Sequence, residues 1–163
     1  MTPRVLTADD LAAWRAFRIE ALRERPDAFL TTLEQEQARS DQDVLAKLNS
    51  DALHGAFDGD VLAGALSIDR MQGDSFHHRA WIHALYVRPA YQGSGLAQTL
   101  MTYAVDHAKT LGILQLELYV AADNARAVRF YEKQGFTQQG RLARAVYRNS
   151  IFEDDLHYIR LLD

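Results

Sequence analysis

The sequence predicts an α/β fold, a single domain built around a mixed sheet. Three observations carry this. Helical and strand periodicities alternate along the chain. Asp58-Gly59 separates two apolar runs as a hairpin turn does. A glycine-rich stretch joins an extended segment to a helical one. The 163 residues suit one domain with a sizeable core, and no repeat, low-complexity tract or linker divides them.

The elements follow in order. Ala8 to Arg25 reads as a helix that Thr7 or Asp9 can cap, with Leu11, Trp14, Phe17, Ala21 and Leu22 as its apolar stripe and Pro26 as its stop. A second short helix is predicted from about Ser40 to Asn49. LHGAFDGDVLAGALSIDR gives a hairpin, and Arg79 to Val87 a third strand. Gln92 to Thr110 forms a helix with Leu96, Ala97, Leu100, Met101, Ala104, Val105 and Ala108 on one face, ended by Gly112 in the left-handed region. LQLELYV alternates as a strand, Asn124 to Gln134 is a helix, and two final strands turn at Asn149-Ser150.

Composition excludes several functions. The formal charge is −4, with no Lys/Arg stripe, which argues against nucleic acid as a partner. No segment approaches the ~20 apolar residues that span a bilayer, so no membrane partner is expected. The N-terminal stretch has no basic region followed by an apolar run, so no signal peptide is indicated. The absence of cysteine excludes disulfides, thiolate metal sites and a cysteine nucleophile, which suits a cytoplasmic location. No His/Asp/Glu set has zinc spacing, so no metal is expected.

The stretch RPAYQGSGLAQTL carries the first functional signal. Pro89 biases Arg88 toward extended geometry, so the strand ends there. The next helix begins near Ser94 to Leu96, and its first N–H groups lack internal partners at the positive end of the dipole. That is an anion site, suited to phosphate. Gly93 and Gly95 let the backbone approach a bulky pyrophosphate, and Gln92 adds a neutral donor. A Walker A loop requires Gly-Lys-Ser/Thr, which is missing. A dinucleotide fingerprint requires a small residue where Gln98 stands. A plain glycine turn capping a structural helix is the remaining alternative.

The same residues, Gln92-Gly93-Ser94-Gly95-Leu96-Ala97, fit Gln/Arg-x-x-Gly-x-Gly/Ala, and NARAVRFYEKQGF fits Asn-x-x-Ala-x-x-x-Tyr-x-x-x-Gly-Phe. Together with the element order, these motifs resemble the GNAT superfamily of acyl-CoA-dependent N-acetyltransferases, from Val5 to Leu161. The resemblance implies a mostly antiparallel sheet flanked by helices, with a splayed strand pair holding acyl-CoA. It implies one domain over residues 1–163 and transfer of an acetyl group from acetyl-CoA to a primary amine, by direct attack on the thioester. A small-molecule amine acceptor is the first reading. Acetylation of a protein N-terminus or lysine, or non-catalytic acyl-CoA sensing, are the alternatives. Exposed edges of the C-terminal strands would allow a homodimer.

The resemblance also assigns roles. Leu85 and Val87 would pair with pantetheine through main-chain groups, and the loop from Gln92 to Ala97 would hold the pyrophosphate. Tyr131, on one helix face with Asn124 and Val128, would donate a proton to the departing sulfur. The alternative is a core tyrosine. Asn124 is an N-cap first and a cofactor contact second. His83 shares a strand face with Trp81 and Leu85. An imidazole, at ~6.5, suits a base near neutrality. A hydrogen-bonded structural histidine is the equal alternative. Glu117 is a second candidate base, or a solvated strand-face charge. Glu34, Glu36, Asp41 and Asp43 form an acidic segment that could attract a cationic acceptor or simply be solvated.

Overall fold

A computed structural model describes residues 1–163. Five α-helices and seven strands follow one another in the predicted order, with two additions. The strands are β1 (Arg4–Val5), β2 (Leu53–Asp58), β3 (Val61–Arg70), β4 (Arg79–Val87), β5 (Gln115–Ala121), β6 (Thr137–Arg148) and β7 (Ile151–Leu161). The helices are α1 (Leu11–Glu24), α2 (Leu33–Ala38), α3 (Asp41–Leu48), α4 (Leu96–Thr110) and α5 (Ala125–Lys133). The sheet order is β1-β2-β3-β4-β5-β7-β6. The β4–β5 pair is parallel, and β1–β2, β2–β3, β5–β7 and β6–β7 are antiparallel. This is the mixed sheet that the sequence predicts, mostly antiparallel as the family resemblance implies.

The additions are β1 and α2. β1 is too short to show a period. α2, LEQEQA, has no apolar stripe, and a capping box at Thr32 and Gln35 holds its start. α4 begins at Leu96 rather than Gln92, because Gly93 and Gly95 are not helical.

The chain divides into two compact units, residues 1–68 with 83–103 and residues 69–82 with 104–163. In the first, Trp14, Phe17, Phe29 and Tyr86 form an aromatic core with Leu6, Leu22, Val44, Leu48, Leu53 and Leu62. Trp14 and Phe29 are thus core. Glu36, in the acidic segment read as attracting a cationic acceptor or being solvated, is buried beside Arg18 at 3.8 Å, and Asp41 pairs with Arg15 at 3.1 Å. In the second unit Leu116, Leu118, Val120, Phe136, Leu156 and Tyr158 are buried. Tyr158 donates to Glu132 at 3.0 Å, tying α5 to β7.

Candidate active site

The glycine loop lies in the first unit, between β4 and α4. Gly93 and Gly95 have φ of 78° and 86°. That left-handed conformation costs a residue with a Cβ about 1–2 kcal/mol. A Cβ on either glycine would meet nothing within 4 Å, so the space before the loop is open. No carbonyl accepts from the N–H groups of Gly93, Gly95, Leu96 or Ala97. Those donors stand at the positive end of α4.

The loop's shape is fixed from behind. The Gln92 amide donates to the Val87 carbonyl at 3.0 Å, the Ser94 hydroxyl to the Tyr91 carbonyl at 2.5 Å, and the Tyr91 hydroxyl to Asp58 at 3.0 Å. Gln92 thus spends its side-chain nitrogen on the strand end. Gly64 of β3 sets the helix depth, since a Cβ there would sit 3.0–3.2 Å from Leu100, Leu96 and Val87.

β4 leads into this loop with an irregularity. Ala84 has φ of 53°, a left-handed residue inside a strand. The alternation predicted to put Trp81, His83 and Leu85 on one face is therefore interrupted between His83 and Leu85. His83 is exposed, Leu85 half-buried and Val87 buried. The pairing register of β4 with β5 sets Arg79 to Trp81 opposite Gln115 to Glu117.

The second unit holds Glu117, Asn124 and Tyr131. The Asn124 side chain accepts from Ala127 N–H at 3.1 Å, so it is the predicted N-cap of α5. Nearly two turns along α5, Tyr131 packs edge-on against Phe130 and Phe136. As a residue it is half-buried, and its hydroxyl makes no hydrogen bond to the protein. Desolvation pushes the phenol up to about 12. The hydroxyl is therefore a loaded donor with nothing to donate to, unlike that of an ordinary core tyrosine.

Glu117 is not the solvated strand-face charge that stood as the alternative to a base. It has no exposed surface. It takes a forked ion pair from Arg79, and hydrogen bonds from Gln115 at 2.8 Å and His157 Nε2 at 2.9 Å. Burial would raise its carboxyl, but the bonds from Arg79, Gln115 and His157 prevail and hold it below the ordinary glutamate value. A carboxylate so engaged is poorly suited to take a further proton, and its visible work is to fix Arg79 and His157. Breaking a buried pair costs about 3–5 kcal/mol. Glu117→Ala should fall near the lower limit, because the Arg79 side chain is 29% exposed and can turn to water. With ~2–4 °C per kcal/mol for a chain of this size, the melting temperature at pH 7 should drop by about 6–12 °C. A depressed carboxyl stabilises the fold above the unfolded value of ~4.3 and loses that contribution as pH falls through the folded value. The deficit of the variant should therefore shrink in melts at pH 3; an equal deficit at both pH values would contradict this role.

Beside Glu117 lies an aromatic group that the motifs do not mark. Trp81 stacks on Tyr119 (centroids 5.5 Å, 18°), and Tyr119 stacks on His157 (5.0 Å, 27°). Trp81 is half-buried and Tyr119 exposed. Alternation places Glu117 and Tyr119 on one face of β5, but nothing local shows that β7 is the neighbour that brings His157 to them.

A family model described as the Acetyltransferase (GNAT) family matches residues 13–136. The chain is 32% identical over 138 residues to a mycothiol acetyltransferase of Brachybacterium faecium, covering 81% of this chain and 39% of that protein. It is 33% identical over 81 residues to the spermidine N(1)-acetyltransferase of Vibrio cholerae, covering 49% of this chain and 47% of that protein. The chain thus spans less than half of either relative's length. A GNAT-family acetyltransferase from Streptococcus pneumoniae matches with a TM-score of 0.84 at 25% identity, over 98% of both chains. An acetyltransferase of Salmonella typhimurium, solved with acetyl-CoA, matches with 0.83 at 21%, over 99% of this chain and 94% of that one. At that lower identity the likeness is one of fold. No helix is long and apolar enough to cross a membrane.

Proposed function

Because the chain belongs to the acetyltransferase (GNAT) family, we propose that it transfers an acetyl group from acetyl-CoA to a primary amine of a small molecule, by direct attack on the thioester. The observation that carries the reading is the loop at Gly93 and Gly95. Four unpartnered N–H donors and open space stand at a helix N-terminus, which suits a pyrophosphate. The two relatives add a direction for the acceptor, since one is named for spermidine and the other for mycothiol.

In this reading the N–H groups of Gly93, Gly95, Leu96 and Ala97 hold the pyrophosphate, and Gln92 and Ser94, whose own N–H and hydroxyl are spent on Tyr91, shape the loop. Leu85 and Val87 offer main-chain groups to pantetheine beyond the irregularity at Ala84, the splay that the family resemblance implies. Acetyl-CoA supplies the acyl thioester. Tyr131 donates its unpartnered O–H to the departing sulfur. Asn124 orients α5 and hence Tyr131. His83, exposed on β4, takes the proton of the amine; the engagement of Glu117 favours His83 over it.

The test is an acetyl-transfer screen. Amines, amino acids, polyamines, aminoglycosides and short peptides are incubated with acetyl-CoA and read by mass spectrometry. The expected product is an acetylated small amine. The pH–rate curve of the unaltered chain should show an acidic limb that His83→Ala loses. Product formed only on peptides would move the acceptor to the protein class. An unshifted limb would remove His83 as the base.

A further inference from the structure

We propose that Asp58 and Tyr91 are positioning residues for acetyl-CoA: the hydrogen bond between them holds the glycine loop in its anion-binding shape before the ligand arrives. The proposal rests on the acetyltransferase reading and adds to it two residues that act through the loop.

The loop needs support from outside. Gly93 and Gly95 have φ of 78° and 86°, and glycine is the residue with the most backbone freedom to lose. Its N–H donors must converge on one anion. Every loop conformer in which they diverge lowers the apparent affinity, so a device that removes such conformers strengthens binding without touching the ligand. Bonds within the loop lead back to Tyr91. Its carbonyl accepts from the Ser94 N–H at 3.4 Å and from the Ser94 hydroxyl at 2.5 Å, and its own N–H donates to the Arg88 carbonyl at 2.9 Å. A shift of Tyr91 therefore carries Ser94 with it, and with Ser94 the glycines on either side.

The anchor for Tyr91 stands on another element. β2 ends at Asp58, which pairs with Val61 across the two-residue turn of Gly59 and Asp60. Gly59 takes φ of 58° there, as a tight hairpin turn requires, so Asp58 is presented by a rigid support. Its carboxylate accepts from the Tyr91 hydroxyl at 3.0 Å. That bond is the first cause that raises the Tyr91 phenol above its ordinary value, so the hydroxyl keeps its proton and remains a donor. The same hairpin meets the segment on both sides of Tyr91. The Ala63 carbonyl accepts from the Arg88 N–H at 2.9 Å, and Gly64 leaves room for Val87 and Leu96. The tether is the middle of three attachments, and the one nearest the glycines.

Charge alone would give Asp58 the opposite effect. A carboxylate near an anion site repels a pyrophosphate, so its removal should tighten binding on electrostatic grounds. The tether predicts that its removal weakens binding. Asp60, an exposed carboxylate of the same turn, separates the two effects.

The experiment measures acetyl-CoA affinity by equilibrium binding, and turnover of acetyl-pantetheine, which lacks the pyrophosphate. Tyr91→Phe keeps the ring and removes the hydroxyl. It and Asp58→Ala should each raise the dissociation constant for acetyl-CoA by about 3–10-fold, the scale of one hydrogen bond at the surface. The double variant should lose no more than either single one, since both remove the same bond. Asp58→Asn keeps an acceptor oxygen and should fall between Asp58→Ala and the unaltered chain. Asp60→Asn should leave the affinity unchanged or slightly stronger. Turnover of acetyl-pantetheine should stay level in all of them, and melting curves accompany each variant. Unchanged or tighter binding in Asp58→Ala, additive losses in the double variant, or an equal loss with acetyl-pantetheine overturns the proposal. So does a loss in Asp60→Asn that matches Asp58→Ala. The loop reading is checked separately with Gly95→Val: if that variant loses affinity while Tyr91→Phe does not, the tether falls and the loop stands. Normal affinity in Gly95→Val overturns both.

Discussion

Tyr131→Phe should lower kcat by about 10²-fold and leave the affinity for acetyl-CoA unchanged, since general acids and preorganised donors contribute about 10²–10⁴-fold and 10²–10³-fold respectively. The argument begins at the hydroxyl. It lacks a protein partner, and desolvation pushes the phenol up to about 12. The proton is therefore present at every working pH. It does not leave readily, because a thiol titrates near ~8.5 and full transfer from such a phenol to a thiolate is uphill. The greater contribution is a hydrogen bond that strengthens as charge develops on sulfur, which acts on the transition state rather than on binding. Phe keeps the ring against Phe130 and Phe136, so fold and affinity should persist. Single-turnover kinetics with acetyl-CoA, beside equilibrium binding, separate the two. An unchanged chemical step would remove Tyr131 from the reaction; a parallel loss of affinity would make it a binding group instead.

The parts of this site that the sequence makes legible are local ones. Asn124 and Tyr131 sit on one helix, and the distance from cap to hydroxyl is set by seven residues of helical rise. Gly93 and Gly95 show in the sequence because only glycine adopts their φ without strain. The illegible parts depend on distant partners. Glu117 alternates like any strand charge, yet its environment is made by Arg79 and by His157, 40 positions away. That meeting requires β7 to lie between β5 and β6, a strand order that no turn signal encodes. Ala84 is similar. Its φ of 53° is left-handed inside a strand, and alanine carries no mark of it in the sequence. Trp14, Phe29 and Trp81 read alike as apolar aromatics. Only packing separates the two in the core from the one in the stack beside Tyr119.

Gly95→Val should raise the dissociation constant for acetyl-CoA by about 10²-fold while the protein remains folded. Two costs must be distinguished. The first is conformational. At φ of 86° a side chain with a Cβ is strained, by about 1–2 kcal/mol, or roughly 2–8 °C of melting temperature, which a folded domain survives. No protein atom lies within 4 Å of that Cβ, so no clash adds to it. The second cost falls on the ligand. The valine methyls would enter the open space before the N–H groups of Gly93, Gly95, Leu96 and Ala97, and a loop relaxing from left-handed φ would turn those donors away. Each hydrogen bond to a charged group contributes about 1.5–3 kcal/mol. Losing one or two gives the expected hundredfold, since every ~1.4 kcal/mol is tenfold. Acetyl-pantetheine provides the internal control, for it carries the thioester without the pyrophosphate. Its turnover by Gly95→Val should stay close to that of the unaltered chain. If acetyl-CoA binds the folded variant normally, the loop does not hold phosphate. If both donors fail together, the damage lies beyond the loop and the pyrophosphate assignment loses its support.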